Sequence, residues 1–363
     1  MKVIQELIGT FILNLLPAGK DKGVKMKKVA LFFCVLAAVA LVSGITPMTT
    51  QAKVSLNYAN FPPAPTFPCV QMERWKTEIE KRTDGAVQVN TFPGGTLLGA
   101  KDMMDGVING QADIGCICMA YQPGRFTVTN ATSLPLDIPD AKTGSLVLWD
   151  LYNKYQPKAF DKVKVLTMFV TAPANIMSKA PVAELSDLKG LDLRASGGAA
   201  QILKSWGANQ VGMPMSDTPE ALQKGVVKGV FSSLEVMKDL KFAEICKYIT
   251  ITDTVIYPFA VIMNKSAWNK LPDNVKQAMD GMIEEQAAWT GEYMDQHVSD
   301  SIAWSKKEHQ VEVITLSAEQ KAQWNAPLAP ITESWIKTAE EKGLPGAQIV
   351  KDIKELIVKR TAE

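Results

Sequence analysis

The sequence predicts an α/β chain of two lobes, joined by extended crossings and spanned by one long helix. Three observations carry that expectation. Short β-branched runs alternate with amphipathic stretches from residue 53 onward, the pattern of largely parallel sheets covered by helices. The series restarts near residues 163–181, where a strand leads through Pro173 into a second set. Residues 271–310 then continue with no proline after Pro272 and only two glycines, enough for one helix of about 35 residues. A helix that long exceeds what a single small lobe needs.

"KVSLNYANF" (53–61) alternates as a strand does and stops at the Pro-rich loop "PPAPTFP". In "VQMERWKTEIEKRT" (70–83), Val70, Met72, Trp75 and Ile79 fall at helical spacing, and Asp84-Gly85 closes the helix. "AVQVNTF" is the next strand, after which "PGGTLLGA" turns into the helix "KDMMDGVINGQ". "ADIGCICMA" (112–120) is apolar nearly throughout, as suits a strand covered on both faces. The second series has strands "NIMSK", "LDLR", "QVGMP" and "GVFSS", with helices "GAAQILKSWGA" and "TPEALQKGVV" between them. Residues 251–265 form a β-branched run that returns to the first lobe, and "VEVITL" and two terminal helices follow the long helix. The expected division is lobe I from 53–171 plus 260–363, with the long and C-terminal helices, and lobe II from 172–259. Two lobes on such crossings enclose a cleft that closes by hinge motion.

Residues 26–52, "MKKVALFFCVLAAVALVSGITPMTTQA", have a basic start, an apolar stretch and Thr50-Gln51-Ala52 ahead of Lys53. That is the layout of a secretory signal peptide, with an apolar segment short for a membrane span. Met26 reads as the true start, residues 1–25 as a spurious upstream extension, and residues 1–52 together as the part removed on export to the periplasm. Cys34 lies inside the apolar run, which argues against a lipid anchor. Removing residues 1–52 takes away six lysines and two acids and leaves 33 basic against 36 acidic side chains. With no block of like charge, nucleic acid and anionic membrane are poor partners.

Cys69, Cys116, Cys118 and Cys246 remain. Cys116 and Cys118 share a strand face, and with no second pair or histidine cluster they read as small buried apolar residues, so no metal is expected. His297 and His309 fall in the long helix, away from any nucleophile motif. Gly-x-Ser-x-Gly, glycine-rich nucleotide loops, HExxH and Cys-x-x-Cys are absent, so neither an enzyme nor a cofactor is expected.

"FPGGTLLGAKDMMDGVINGQADIG" (92–115), "DLKGLDLRASGGA" (187–199), "MPMSDTPEALQKGVVKGVFSS" (213–233) and the late long helix follow in that order behind a signal peptide. Together they resemble the substrate-binding proteins of TRAP (tripartite ATP-independent periplasmic) transporters of the DctP type, over residues 53–350. The resemblance implies a two-lobed periplasmic binding protein, monomeric and without catalysis. Such a protein captures a small organic acid and hands it to a membrane permease driven by an ion gradient. It also implies that Arg194, ending "GLDLR", grips the ligand carboxylate. Ligands of open α/β sheets sit beyond the carboxyl ends of strands, and a guanidinium matches a carboxylate with two parallel hydrogen bonds. The small residues 195–200 clear space for ligand and backbone, and the helix they open offers N–H groups to an anion.

Two departures from the family bear on the ligand. Ala174 stands at or near the place where many members carry a second arginine, and Val230-Phe231-Ser232-Ser233 replaces the polar "QENP". A second buried carboxylate would lack a partner, which costs more than one hydrogen bond returns. The expected ligand is therefore a monocarboxylate with an apolar or aromatic body; indole- or phenyl-bearing acids fit best, and branched-chain 2-oxo acids fit too. Its expected wall is Phe61, Tyr121, Phe169, Phe231 and Tyr257. Ser232 and Ser233 are available for a carboxylate or ring N–H, and Glu235 either meets an ammonium or indole N–H or opens a solvated helix. The tryptophans read as core. The alternative is a binding protein of an ATP-driven importer or a ligand-presenting partner of a sensor.

Overall fold

In the computed structural model the described residues are 53–362, so the signal-peptide reading of residues 1–52 lies outside the described residues. The strands are β1 (Val54–Ala59), β2 (Val87–Phe92), β3 (Ile114–Cys118), β4 (Val163–Val170), β5 (Asn175–Ser178), β6 (Asp192–Arg194), β7 (Asn209–Val211), β8 (Gly229–Ser232), β9 (Tyr248–Ile251), β10 (Pro258–Asn264) and β11 (Glu312–Thr315). They build a five-stranded sheet, β2-β1-β3-β10-β4, and a six-stranded sheet, β11-β9-β5-β8-β6-β7. The first sheet is the centre of lobe I and the second of lobe II.

Parallel and antiparallel pairs are nearly equal in number, because each sheet holds one reversed strand flanked on both sides. β10 runs antiparallel to β3 and β4, and β5 runs antiparallel to β8 and β9. These are the strands that the polypeptide enters directly from the other lobe. Residues 171–174 lead out of β4 and residues 252–257 lead back. The two crossings bond to each other: Ala174 N donates to Val255 O at 2.7 Å and Thr171 N to Tyr257 O at 3.1 Å. Asn175 Oδ1 accepts from Thr252 N at 2.6 Å and Asp253 N at 2.9 Å, so the crossings form a pinned ribbon.

The helices are α1 (Phe67–Arg82), α2 (Met103–Ile108), α3 (Ala141–Tyr155), α4 (Ala199–Ser205), α5 (Thr218–Gln223), α6 (Val236–Asp239), α7 (Lys265–Lys270), α8 (Asp273–Asp280), α9 (Ile283–His309), α10 (Ala318–Asn325), α11 (Ala329–Glu341) and α12 (Gly346–Thr361). α1 begins three residues earlier than its periodicity suggests, because Pro68 fits the first turn, where its missing N–H costs nothing. α3, unassigned from the sequence, is capped by Asp140, whose side chain accepts from Thr143 N. Three terminal helices follow β11 where two are expected.

The single long helix of the sequence reading is interrupted at Gly281-Met282. Glycine is a poor helix former, and Met282 N reaches only three residues back, to Met279 O at 3.2 Å. What remains, α9, has 27 residues and does touch both lobes. Near its start, Thr167 Oγ1 donates to Ile283 O at 3.0 Å and Gln286 Nε2 to Gln71 O at 3.0 Å. Asp295 accepts from the N–H groups of Ala141 and Lys142, at 2.8 and 3.1 Å, at the start of α3. Further along, Ser301 Oγ donates to Leu234 O at 2.9 Å, in lobe II.

Because α9 ends beside lobe II, the next strand adds there: β11 pairs in parallel with β9. Residues 312–315, which the sequence division gives to lobe I, thus complete the second sheet. Trp206 Nε1 donates to Trp324 O at 2.8 Å, anchoring α10 on lobe II. α12 then returns to α3, where Tyr155 Oη donates to Asp352 at 2.6 Å and Arg360 Nε to Asp150 at 2.8 Å. The four cysteines among the described residues are buried and unbridged.

α9 crosses α3 at Gly291. A Cβ there would lie 2.4 Å from Lys142 Cα and 2.6 Å from Ala141 O, both backbone atoms. A mid-helix glycine replaced by alanine ordinarily gains about 1 kcal/mol. Gly291→Ala should instead lose about 1–3 kcal/mol by overpacking, read as a lowered midpoint in denaturant unfolding; a gain would mean that the helices separate freely.

Candidate ligand-binding cavity

A cavity of about 210 Å³ lies between the lobes beside the ribbon. Lobe I contributes aromatic faces. Phe61 follows β1, Phe67 opens α1, Tyr121 follows β3, and Phe259 projects from β10. Phe61 and Phe259 lie nearly parallel, with centroids 6.4 Å apart, while Tyr121 meets Phe61 edge-on at 5.6 Å and Phe67 meets Phe259 edge-on at 5.7 Å. Such offset and edge contacts fix ring orientations. The ribbon adds Thr171 and Tyr257; lobe II adds Arg194, Met215, Ser232, Glu235 and Asp239.

Arg194 ends β6 and is 1% exposed. Its Nε and Nη2 donate to Met213 O at 3.0 and 2.8 Å, and Nη2 also reaches Ser196 Oγ at 3.1 Å. These bonds fix the plane of the guanidinium without neutralising it. Among the described residues no carboxylate forms an ion pair with Arg194. A buried cation without an anion is costly, so this arrangement invites one.

The small residues after Arg194 serve a different contact from the one expected. A Cβ on Gly197 would stand 2.8 Å from Ala120 Cβ, and one on Gly198 would stand 2.8 Å from Ser133 O. These two glycines let the lobes touch. The N–H groups of Ala200 and Gln201 are spent on Gly197 O and Gly198 O rather than offered to a ligand. Across the same seam Tyr121 Oη accepts from Met215 N at 2.9 Å.

Of the expected wall, Phe61, Tyr121, Arg194, Ser232, Glu235 and Tyr257 come together at the cavity, whereas Phe169, Phe231 and Ser233 do not. Strand alternation explains Phe231: it points away from its neighbour Ser232 and packs on Trp206 at 5.3 Å. Phe169 lies one layer deeper, stacked under Phe259 at 5.2 Å and 9°. Ser233 is fully buried beyond the wall. Phe67, Phe259, Met215 and Asp239 are wall residues not picked out from the sequence; Asp239, one helical turn after Glu235, was within reach of a spacing argument.

Burial sets the protonation of the wall. It pushes the Cys118 thiol and the Tyr257 phenol up to about 12, against the opposing pull of the Arg194 charge, so both stay neutral. Tyr257 Oη donates to Phe231 O at 2.8 Å. Burial, helped by nearby Asp239, lifts the Glu235 carboxyl from 4.5 to about 7. Asp239 binds His297 of α9 at 2.7 Å and raises the imidazole above its ordinary value.

The model for bacterial extracellular solute-binding proteins of family 7, DctP, matches residues 62–338. The chain is a DctP-family TRAP solute-binding protein. It is 26% identical over 298 residues to the 2,3-diketo-L-gulonate-binding periplasmic protein YiaO of Escherichia coli, covering 79% of this chain and 87% of that one. A TRAP periplasmic solute-binding protein from Desulfovibrio salexigens is 57% identical, with a TM-score of 0.77 over 85% of this chain and 97% of the other. That crystal structure is an open complex with the C-terminus of a symmetry mate in its ligand-binding site. A marine metagenome TRAP solute-binding protein specific for aromatic acid ligands, in complex with metahydroxyphenylacetate, is 28% identical, with a TM-score of 0.81 over 85% and 99% of the two proteins. Membership settles the choice left open between a TRAP transporter and an ATP-driven importer: this family binds solutes for transport. Among the described residues no helix of this TRAP solute-binding protein is long and apolar enough to cross a membrane.

Glu235 makes the cavity pH-sensitive. Its folded pKa lies above the unfolded 4.5, so the stability it contributes is fully present below pH 4.5 and lost as pH rises through about 7. A displacement of that size corresponds to about 3 kcal/mol. Glu235→Gln should therefore gain on the parent by about 3 kcal/mol between pH 4.5 and pH 7, measured by urea unfolding along a pH series; a constant difference would contradict the burial argument.

Proposed function

We propose that this TRAP solute-binding protein captures a small monocarboxylate with an apolar or aromatic body. Arg194 takes the carboxylate, the rings of lobe I take the body, and the lobes close over both. The observation that carries this reading is the buried guanidinium of Arg194, held by Met213 O and Ser196 yet lacking a counter-charge among the described residues. No other lysine or arginine lines the cavity, so one carboxylate is served and a second is not. Replacing the family's polar segment with Val230-Phe231-Ser232-Ser233 works in the same direction.

Size agrees. An engineered apolar cavity of about 150 Å³ takes up benzene, so about 210 Å³ holds one ring and a short acid arm. The metagenomic relative that binds metahydroxyphenylacetate supports an aromatic acid. The D. salexigens relative, whose site holds the C-terminus of a neighbouring molecule and hence a terminal carboxylate, supports an acid head group. The closed lobes then present the loaded protein to a membrane permease in the periplasm. No chemical step is assigned to the cavity, which has an acid-gripping cation but no nucleophile paired with a base.

A ligand shifts the balance between open and closed lobes only by as much as it prefers one. Contacts from both lobes to a single molecule supply that preference. A thermal-shift screen of organic acids identifies the ligand through the raised melting temperature that tight binding produces. For the best acid found, Arg194→Ala should weaken binding at least about 100-fold in calorimetry, since removing half of a buried charge pair costs about 3–5 kcal/mol. A loss of about tenfold or less, near 1.4 kcal/mol, would place the carboxylate elsewhere.

A further inference from the structure

The cavity has a second pole. Glu235 precedes α6 and Asp239 ends it, one turn apart, and both line the cavity. Glu235 is 3% exposed and the Asp239 side chain 4%. Asp239 Oδ1 meets His297 Nε2, but Asp239 Oδ2 and Glu235 Oε2 have no hydrogen-bond partner among the described residues, and the Ser233 hydroxyl is the neighbouring donor that acts on the Glu235 carboxyl from outside the cavity. The charges acting most strongly on Glu235 are those of Asp239 and His297, whereas Arg194 acts on Cys118, Tyr121 and Tyr257. Among the described residues no ion pair joins the acidic pole to Arg194.

Buried polar atoms are nearly always paired, and each that is not calls for a partner. Two such atoms, Glu235 Oε2 and Asp239 Oδ2, belong to side chains that line the same cavity one helical turn apart. His297 already bonds one oxygen of the pair, and Lys238 is exposed and lies outside the cavity lining. An ionised carboxylate can only accept. What is missing is therefore a donor. We infer that Glu235, supported by Asp239, reads a hydrogen-bond donor on the ligand: the bound acid carries an O–H or N–H on its apolar body, away from its carboxylate. This rests on the monocarboxylate reading and narrows it to donor-bearing acids. Neutral O–H, ring N–H and ammonium groups share this chemistry, and the test separates them.

Matched acids that differ only in the donor provide the test, by calorimetry at about pH 8, where Glu235 has lost its proton. The pairs are indole-3-acetate with 1-methylindole-3-acetate, and 3- and 4-hydroxyphenylacetate with phenylacetate; 4-(aminomethyl)phenylacetate supplies the ammonium. In at least one set the donor-bearing acid should bind at least about tenfold more tightly, equivalent to about 1.4 kcal/mol. In Glu235→Leu that ratio should collapse to about threefold or less, near 0.7 kcal/mol. Equal binding within every set in the parent overturns the inference without using a variant, as does a ratio that survives Glu235→Leu. Arg194-dependent binding that ignores the donor removes this inference alone; failure of every acid to bind removes the monocarboxylate reading with it.

Discussion

The cavity is organised by a guanidinium taken out of water with no anion to meet it. Burying such a charge is among the largest penalties a fold can carry, and the surrounding structure offsets only part of it, through Met213 O and Ser196 Oγ. The remainder falls to whatever occupies the cavity. An empty closed cavity is therefore the unfavourable state, and an open one, where water reaches Arg194, is the natural alternative. On the proposed reading this single cost couples the chemistry of the ligand to the position of the lobes: a molecule without an acid group leaves the penalty in place however well its body fits the rings.

That coupling requires the lobes to approach closely, and residues just beyond Arg194 serve that end. Gly197 and Gly198 admit Ala120 and Ser133 at distances that leave no room for a side chain. Tyr121 completes the seam by accepting from Met215 N. The stretch "RASGGA" thus does two jobs, presenting a charge and thinning the backbone where the lobes meet. Only the first is deducible from residue types alone.

Much of the fold was legible because its signals are local. Alternation marked β1 and an unbroken apolar run marked β3; apolar spacing marked α1; a lone arginine before small residues marked Arg194, which does line the cavity. What was not legible depended on distant contacts. The break at Gly281 rests on one weak helix former within an otherwise continuous pattern. β11 has ordinary strand composition, and only the landing point of α9 decides which sheet it joins. Phe231 and Ser232 are adjacent in sequence yet face opposite sides of β8, and the side that meets the cavity is set by the packing of Trp206. Phe259 carries no sequence signal for the cavity, since one face lines it while the other stacks on Phe169. The orphaned oxygens of Glu235 and Asp239 are invisible without coordinates, since a satisfied carboxylate and a waiting one are the same letter.

The ribbon between the lobes has a mechanical consequence. Two crossings stitched to each other resist shear, because sliding one past the other would break bonds such as Ala174 to Val255. α9, fastened to both lobes, resists stretching. Rotation about the ribbon is then the softest motion left, and a swing with one axis brings the jaws together along the same path for every cargo. Under the proposed closure, selectivity is exercised by the aperture rather than by moulding: a misfit guest stalls the swing short of its end point.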